Sequence, residues 1–190
     1  MKRTKNSLKI TAILCVFFFL LSCDNTVGDS DKSGIVLIVT RIVGMDLGGA
    51  DADYLISDVQ TGGGYLTNPI MVTLEAKLKK PKPILPGASY KTSVMIDRYT
   101  ITYTSPQGDP VPAAFEGSLS AVCEVGDTVN LDVLAVRAEA KNAVPLNALI
   151  GTLNVMWIVA RFDISGHDLA GNGVQATGYL TIYFADWIDS

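Results

Sequence analysis

The feature that most constrains the fold of this sequence is an alternation of apolar and polar residues near its end. Between Val174 and Asp186 the apolar residues fall on one parity, while glutamine, threonine and tyrosine fall on the other. A β-strand directs successive side chains to opposite faces, so a period of two is typical of a strand. The segment therefore predicts a strand with one face in a core and one face toward solvent.

The segment before it predicts a second strand that pairs with the first. Thr152–Ser165 is apolar on both faces, which favours a position in the interior of a sheet. Asn172-Gly173 lies between the two segments, and Asn-Gly is typical of the tight β-hairpin turn with positive φ angles. We therefore expect an antiparallel hairpin that turns at these two residues.

Five earlier segments also resemble strands. They are Ile35–Val43, Ile70–Lys79, Lys91–Thr104, Gly117–Cys123 and Thr128–Ala138. Gly44–Gly64 suggests a long irregular segment, and only Ala138–Ile150 has helical character, which Pro145 limits to a turn or two. The chain after residue 33 is therefore predicted to form one all-β domain, an antiparallel β-sandwich of about seven strands.

The predicted hairpin also carries a resemblance. Asp168-Leu169-Ala170-Gly171-Asn172 resembles the Asp-x-Ala-Gly-Asn turn of bacterial immunoglobulin-like domains, and Val94–Ile182 is similar to a group of uncharacterised bacterial secreted proteins. The resemblance implies an immunoglobulin-like or fibronectin-like sandwich, although the Cys, Trp, Cys arrangement of true immunoglobulin domains is absent. Because such folds host many roles, it implies a fold and no particular activity.

The N-terminus predicts export. Four basic residues, Lys2, Arg3, Lys5 and Lys9, precede the apolar run Ile10–Leu21. A charged start followed by a short apolar run is typical of a signal peptide, here residues 1–22. A spanning helix needs about 20 apolar residues, so this run is too short to cross a membrane.

The end of the signal peptide predicts a lipid anchor. Leu20-Leu21-Ser22-Cys23 resembles a bacterial lipobox, which implies a diacylated Cys23 at the mature N-terminus, although a secreted protein with a chance cysteine there is the alternative. Residues 23–33 would then form a polar tether before the domain at 34–190. We expect a lipoprotein of the bacterial cell envelope, and Asp24 resembles the inner-membrane retention signal of enteric bacteria.

The charge of the mature chain disfavours nucleic acid as a partner. The chain has 15 basic and 19 acidic residues, and four of the basic residues but no acidic residue lie in the signal peptide. The mature chain therefore keeps 11 basic residues against 19 acidic ones, a net charge of −8. Nucleic-acid binding depends on Lys and Arg neutralising phosphates, so we expect no nucleic-acid partner.

Motifs of known enzyme classes are absent from the sequence. It has no Gly-x-Ser-x-Gly, no His-Glu-x-x-His and no Gly-x-x-x-x-Gly-Lys. His167 is the sole histidine, and Cys123 is the sole thiol left after Cys15 is removed and Cys23 is lipidated. We expect His167 to be solvated turn surface, Cys123 to be core, and the protein not to be an enzyme.

Two loops contain candidate calcium ligands. Asp51 and Asp53 lie in the Gly44–Gly64 segment, and Asp168 and Asn172 lie in the predicted turn. Calcium takes six to eight oxygen ligands of this type, but the EF-hand spacing is absent and Asp and Asn are also ordinary turn residues. We expect no cofactor, with calcium kept as the metal to test.

The last strand contains candidate binding residues. Tyr179, Tyr183 and Trp187 share one parity, and aromatic side chains on an exposed face can stack on sugars or contact a partner protein. Alternatively, they pair with cross-strand neighbours.

The prediction is a membrane-anchored, non-enzymatic structural or protein-interaction domain with an envelope protein or glycan as partner. A carbohydrate- or small-ligand-binding module is the alternative.

Overall fold

A computed structural model describes residues 32–80 and 92–187 of the protein. The predicted signal peptide, the proposed lipid site Cys23, Asp24 and the tether up to residue 31 lie outside the described residues.

The described residues form two β-sheets with nine strands in all. The strands are β1 (Ile35–Met45), β2 (Asp51–Ala52), β3 (Tyr54–Asp58), β4 (Asn68–Leu78), β5 (Ser93–Thr104), β6 (Phe115–Glu124), β7 (Thr128–Val136), β8 (Met156–Asp168) and β9 (Gly173–Ala185). The first sheet has the order β2-β1-β4-β7, and the second has the order β3-β9-β8-β5-β6. In these orders β1 and β4 are interior in the first sheet, and β9, β8 and β5 are interior in the second.

The prediction of an all-β sandwich is confirmed, and each of the seven predicted strands is present. The structure adds β2 and β3, which lie within Gly44–Gly64, so the prediction that this segment is irregular was wrong. Its strands are two and five residues long, too short for periodicity to reveal. Because β3 pairs with β9 in parallel, the sandwich is also not wholly antiparallel.

The β8–β9 hairpin is confirmed, but its turn differs from the predicted one. The two strands pair without a register shift from Met156 opposite Phe184 to His167 opposite Gly173. In the turn, Gly171 has a φ of 80°, and no described non-glycine residue has a positive φ. The Asp168 N–H donates to the Asn172 carbonyl oxygen at 2.9 Å. Three residues therefore lie between this pair, with Gly171 as the left-handed one, so the prediction of a tight Asn-Gly turn was wrong.

The inner faces of the two sheets share one apolar core. Its largest side chains come from both sheets and include Phe162, Phe184, Leu55, Leu74, Ile96, Ile101, Ile158 and Ile182. Gly178 lets β1 lie close to β9, because a Cβ atom there would be 2.6 Å from the Ile42 Cδ1 atom. Apolar burial of this kind is the main favourable contribution to folding.

Among residues 32–80 and 92–187, helical structure is confined to the predicted region. A short helix, α1 (Ala138–Lys141), and a 3₁₀ turn (Leu146–Leu149) lie between β7 and β8. In the part of the chain that the structure describes, no helix has the length and apolar character needed to cross a membrane.

Candidate functional site

The three predicted aromatic binding residues do not form one exposed row. Tyr179 is 62% exposed, whereas Tyr183 and Trp187 are partly buried. The Tyr183 ring packs edge-on against Tyr54 of β3, with ring centroids 5.9 Å apart. Trp187 follows the end of β9, and its backbone N–H donates to the Asp58 Oδ1 atom at 3.0 Å. Tyr179 alone of the three has its side chain largely in solvent.

Tyr183 instead belongs to a cluster on the outer face of the second sheet. Ile56 and Trp157 are its cross-strand neighbours on β3 and β8, and Tyr54 is one row away. All four side chains are partly buried. The β3 members were missed because no strand was predicted there from the sequence. The pairing of Tyr183 with Trp157 could not be counted from the predicted turn at Asn172-Gly173, because that turn places Tyr183 opposite Phe162.

A groove lies beside Tyr179, where β1 passes over β9. Val39–Ile42 of β1, Asp53, and Thr177–Leu180 of β9 line it, and its volume is about 280 Å³. The Arg41 Nη2 atom lies 4.0 Å from the Asp51 Oδ2 atom at its rim, and both side chains are exposed. The groove therefore has a lining that is more polar than apolar, and charged side chains lie at its rim.

A small polar network lies on the other side of Tyr179. Arg161 is the residue opposite Tyr179 on β8. The Asp163 Oδ1 atom accepts hydrogen bonds from Arg161 Nε at 3.1 Å, Arg161 Nη2 at 2.9 Å and Thr177 Oγ1 at 2.6 Å. These contacts fix the orientation of the polar side chains around the exposed ring.

The predicted calcium ligand Asp168 holds the β8–β9 turn together. Its Oδ1 atom accepts hydrogen bonds from the backbone N–H groups of Ala170 and Asn172, and its Oδ2 atom accepts one from Ser33 Oγ. The Asn172 side-chain amide donates to both oxygens. Burial raises the pKa of Asp168, but these hydrogen bonds outweigh burial and hold the pKa below its usual value.

The two predicted calcium loops lie at opposite ends of β1. Asp168 bonds to Ser33, just before β1 begins, whereas Asp51 pairs with Met45, where β1 ends. Asp51 and Asp53 are exposed. Within residues 32–80 and 92–187, no group of three or more His, Cys, Asp or Glu side chains is placed to hold a metal ion.

The sole histidine, His167, and the described cysteine, Cys123, lie on opposite faces of the second sheet. His167 Nδ1 is 3.2 Å from Asp97 Oδ2, and both side chains are nearly half exposed. Cys123 is opposite the buried Val94 and is itself buried, and burial raises the pKa of its thiol. Because their side chains point away from each other across the sheet, they do not form a thiol–imidazole pair.

Lys141 is a buried charged residue that sequence analysis did not identify. Its side chain is 1% exposed, and its Nζ atom donates to the Asp58 backbone carbonyl oxygen at 2.6 Å. Burial lowers the pKa of Lys141 to about 8, although the negative charge of Asp58 acts in the opposite direction. Asp58 therefore contacts α1 through its carbonyl and the residue after β9 through its carboxylate.

No protein-family model matches the chain, and no curated protein matches it.

Proposed function

We propose that the protein is a lipoprotein anchored to a membrane of the bacterial cell envelope through Cys23. In this proposal its β-sandwich acts there as a non-enzymatic structural or protein-interaction module. The Leu-Leu-Ser-Cys sequence behind a charged, apolar N-terminus carries the proposal. The buried hydrogen bond from Ser33 to Asp168 supports it, because it places a residue of the described domain ten positions after Cys23, within reach of a short tether.

The anchor is tested by changing the lipid-acceptor atom. The full chain and its Cys23→Ser variant are expressed and divided between detergent and aqueous phases. We expect the wild type in the detergent phase and the variant in the aqueous phase, because several acyl chains on one residue bind a membrane firmly. Cys123→Ser is the matched control, since its buried thiol should not affect partitioning. Identical partitioning of the wild type and Cys23→Ser would refute the anchor.

The interaction role is tested by crosslinking in intact cells, followed by purification from detergent-solubilised envelope. A structural or interaction module should co-purify with a defined protein partner in stoichiometric amount. Recovery of the protein without any reproducible partner would contradict this role.

A second candidate is a carbohydrate- or small-ligand-binding module. The exposure of Tyr179 beside the groove of about 280 Å³ favours it, because pockets of a few hundred Å³ hold small ligands. Affinity electrophoresis in gels containing envelope polysaccharide tests it. If a ligand binds at this site, the polysaccharide should slow migration of the wild type. Tyr179→Ala should abolish this effect, and the exposed control Val122→Ala should keep it.

A further inference from the structure

Strand β9 is only partly paired along one of its two edges. On one side β8 pairs with β9 over its whole length, whereas on the other side β3 pairs only with Thr181–Ala185. Among residues 32–80 and 92–187, no strand pairs with this second side between Val174 and Leu180. We call Val174–Leu180 the open window. It is bounded by β3 at one end and by the β8–β9 turn at the other.

The backbone groups of the open window alternate in direction. The hydrogen bond from the Asp168 N–H to the Asn172 carbonyl makes these residues a hydrogen-bonded pair. Such pairs recur at every second residue of an antiparallel ladder, so even-numbered residues of β9 direct their N–H and C=O groups toward β8. Gln175, Thr177 and Tyr179 therefore direct theirs toward the open edge. The hydrogen bond from the Val59 N–H to the carbonyl of Ala185 lies on the β3 side of β9. Ala185 is odd-numbered, so this bond agrees with the assignment of odd-numbered residues to that side.

The residues of the open window lack the features that keep edge strands from pairing, although Val39–Ile42 of β1 and Asp53 line the groove beside Thr177–Leu180. Natural edges carry charges, prolines or bulges. Of the other long open edges in the described part, β1 has a bulge next to Arg41, β6 contains Glu116 and Glu124, and β7 contains Asp132. The window reads Val-Gln-Ala-Thr-Gly-Tyr-Leu, with no charge and no proline, and its pairing with β8 has no bulge. An uncharged edge is suited to a partner identical to itself, because no like charges meet.

We propose that the open window pairs with the same window of a second copy of the chain, in a two-fold symmetric dimer. The window is centred on Thr177, whose backbone groups point outward. A two-fold axis there places Thr177 opposite Thr177 of the second copy and Gln175 opposite Tyr179 of the second copy. Each of these pairs joins two outward-directed residues, so each exchanges two N–H···O bonds. The contact is isologous, as in most protein dimers.

The side chains of the window also fit this arrangement. On the outer face, threonine meets threonine at the axis, and the exposed Tyr179 ring lies beside Gln175 of the second copy; such cross-strand pairs stabilise antiparallel ladders. A seven-residue ladder is smaller than a permanent interface, which buries about 1,200–2,000 Å². The dimer rests on the proposed function in one respect: two copies anchored in one membrane meet at a high effective concentration.

Single cysteines in the full chain, kept in its membrane, test the two-fold register. In a hydrogen-bonded pair the Cα atoms are about 5.5 Å apart, within the range for a disulfide, so Thr177→Cys should crosslink to itself. Gln175→Cys alone should not, because its two thiols would be offset by about 13 Å along the strands. Co-expressed Gln175→Cys and Tyr179→Cys chains should crosslink to each other. The unsubstituted chain provides the background from Cys123, the thiol that is left once Cys23 is lipidated.

The pattern of crosslinks decides the inference. Efficient crosslinking of Thr177→Cys and of the mixed pair, with Gln175→Cys at background, supports the two-fold dimer. Equal crosslinking of Thr177→Cys, Gln175→Cys and the mixed pair indicates random collision and overturns the dimer. The absence of a crosslink at Thr177→Cys also overturns the dimer. This is the result expected if a strand of another protein, or of the same chain, occupies the edge of β9.

Two further variants test whether backbone pairing forms the contact. Thr177→Pro removes an outward N–H and leaves the bonds to β8, which come from even-numbered residues. Thr177→Lys keeps the N–H but places two positive charges at the axis. Each should lower crosslinking of the mixed pair at least tenfold, whereas Thr177→Val should not. If Thr177→Pro fails to fold, Thr177→Lys decides, and unchanged crosslinking in that variant overturns the dimer. A failed Cys23→Ser test would leave these results readable, because they report on β9 alone.

Discussion

Ser33 and Asp168 are 135 positions apart in the sequence, and a buried hydrogen bond of 2.9 Å joins their side chains. The same Asp168 carboxylate accepts the backbone N–H groups of Ala170 and Asn172. One side chain therefore closes the β8–β9 hairpin and fixes the point at which the chain begins β1. Because the open window starts at this turn, Asp168 also sets one of its boundaries.

Asp168→Asn should destabilise the protein by about 2 kcal/mol or more, because an amide cannot accept all of these hydrogen bonds and leaves buried donors unsatisfied. Ser33→Ala should cost about 1 kcal/mol, since it removes one of them. Urea unfolding monitored by circular dichroism measures both effects. Ser118→Ala, at an exposed position on β6, is the matched control and should change little. A loss for Asp168→Asn no larger than that of the control would contradict the assigned role.

The pKa of Asp168 also predicts how stability depends on acidity. Its folded pKa lies below its unfolded value, so the contribution is fully present above the unfolded pKa of about 4 and is lost as pH falls through the folded pKa. The free energy of unfolding of the wild type should therefore fall more steeply below pH 4 than that of Asp168→Asn. If the free energy of unfolding fell equally steeply below pH 4 in both proteins, the Asp168 carboxylate would not be the source of this pH dependence.

The sequence predicted these contacts only in part. Asp168-Leu169-Ala170-Gly171-Asn172 was recognised as a turn, but the positive φ angles were placed at Asn172 and Gly173 because Asn-Gly is a common local signal. Gly171 takes that conformation because the Asp168 carboxylate organises a loop of three residues between Asp168 and Asn172. The bond to Ser33 joins distant segments, which no local pattern reveals. Strand β3 was missed for the same reason, since its five residues are stabilised by pairing with β9.

Buried Lys141 predicts an alkaline dependence of stability. Its folded pKa of about 8 lies below the ordinary value of 10.5, so the folded protein binds fewer protons than the unfolded chain between these values. The free energy of unfolding should therefore rise with pH across this window, by up to about 3 kcal/mol from this group. Urea unfolding at pH 7.5, 9 and 10.5 measures the rise.

Lys141→Met should remove the Lys141 part of that rise, because methionine does not titrate. Lys77→Met is the control, since Lys77 is about half exposed and forms a surface ion pair with Glu75 at 2.9 Å. The control should keep the wild-type slope. Equal slopes in the wild type and Lys141→Met would show that the buried amine does not titrate in this range.

Calcium should not change the thermal stability of the domain. The Asp168 oxygens already accept hydrogen bonds from Ser33, Ala170 and Asn172, and Asp51 lies at the other end of β1. A ligand bound only by the folded state would add about 2.7 kcal/mol at a hundredfold excess over its dissociation constant. Melting in millimolar calcium and again in chelator measures this. A midpoint that rises by several degrees in calcium would establish a metal site.

The two tyrosines of β9 should respond differently to truncation, because only one of them packs against neighbours. Tyr183→Ala should cost about 2–3 kcal/mol, since Tyr183 is partly buried, contacts Tyr54 edge-on and lies opposite Trp157. Tyr179→Ala should stay within about 0.5 kcal/mol, because its side chain is 62% exposed. Urea unfolding of the protein carrying Thr177→Lys, which keeps it monomeric, measures both without a contribution from association.

A double-mutant cycle of Tyr54→Ala and Tyr183→Ala then isolates the ring contact. We expect a coupling of about 0.5–1.5 kcal/mol, the range for edge-to-face aromatic pairs. The matched cycle of Tyr54→Ala with Tyr179→Ala should show almost none, because no ring contact joins that pair. Equal losses for Tyr179→Ala and Tyr183→Ala would mean that Tyr183 is as free as Tyr179. In that case all of the aromatic face of β9 would be available to a ligand.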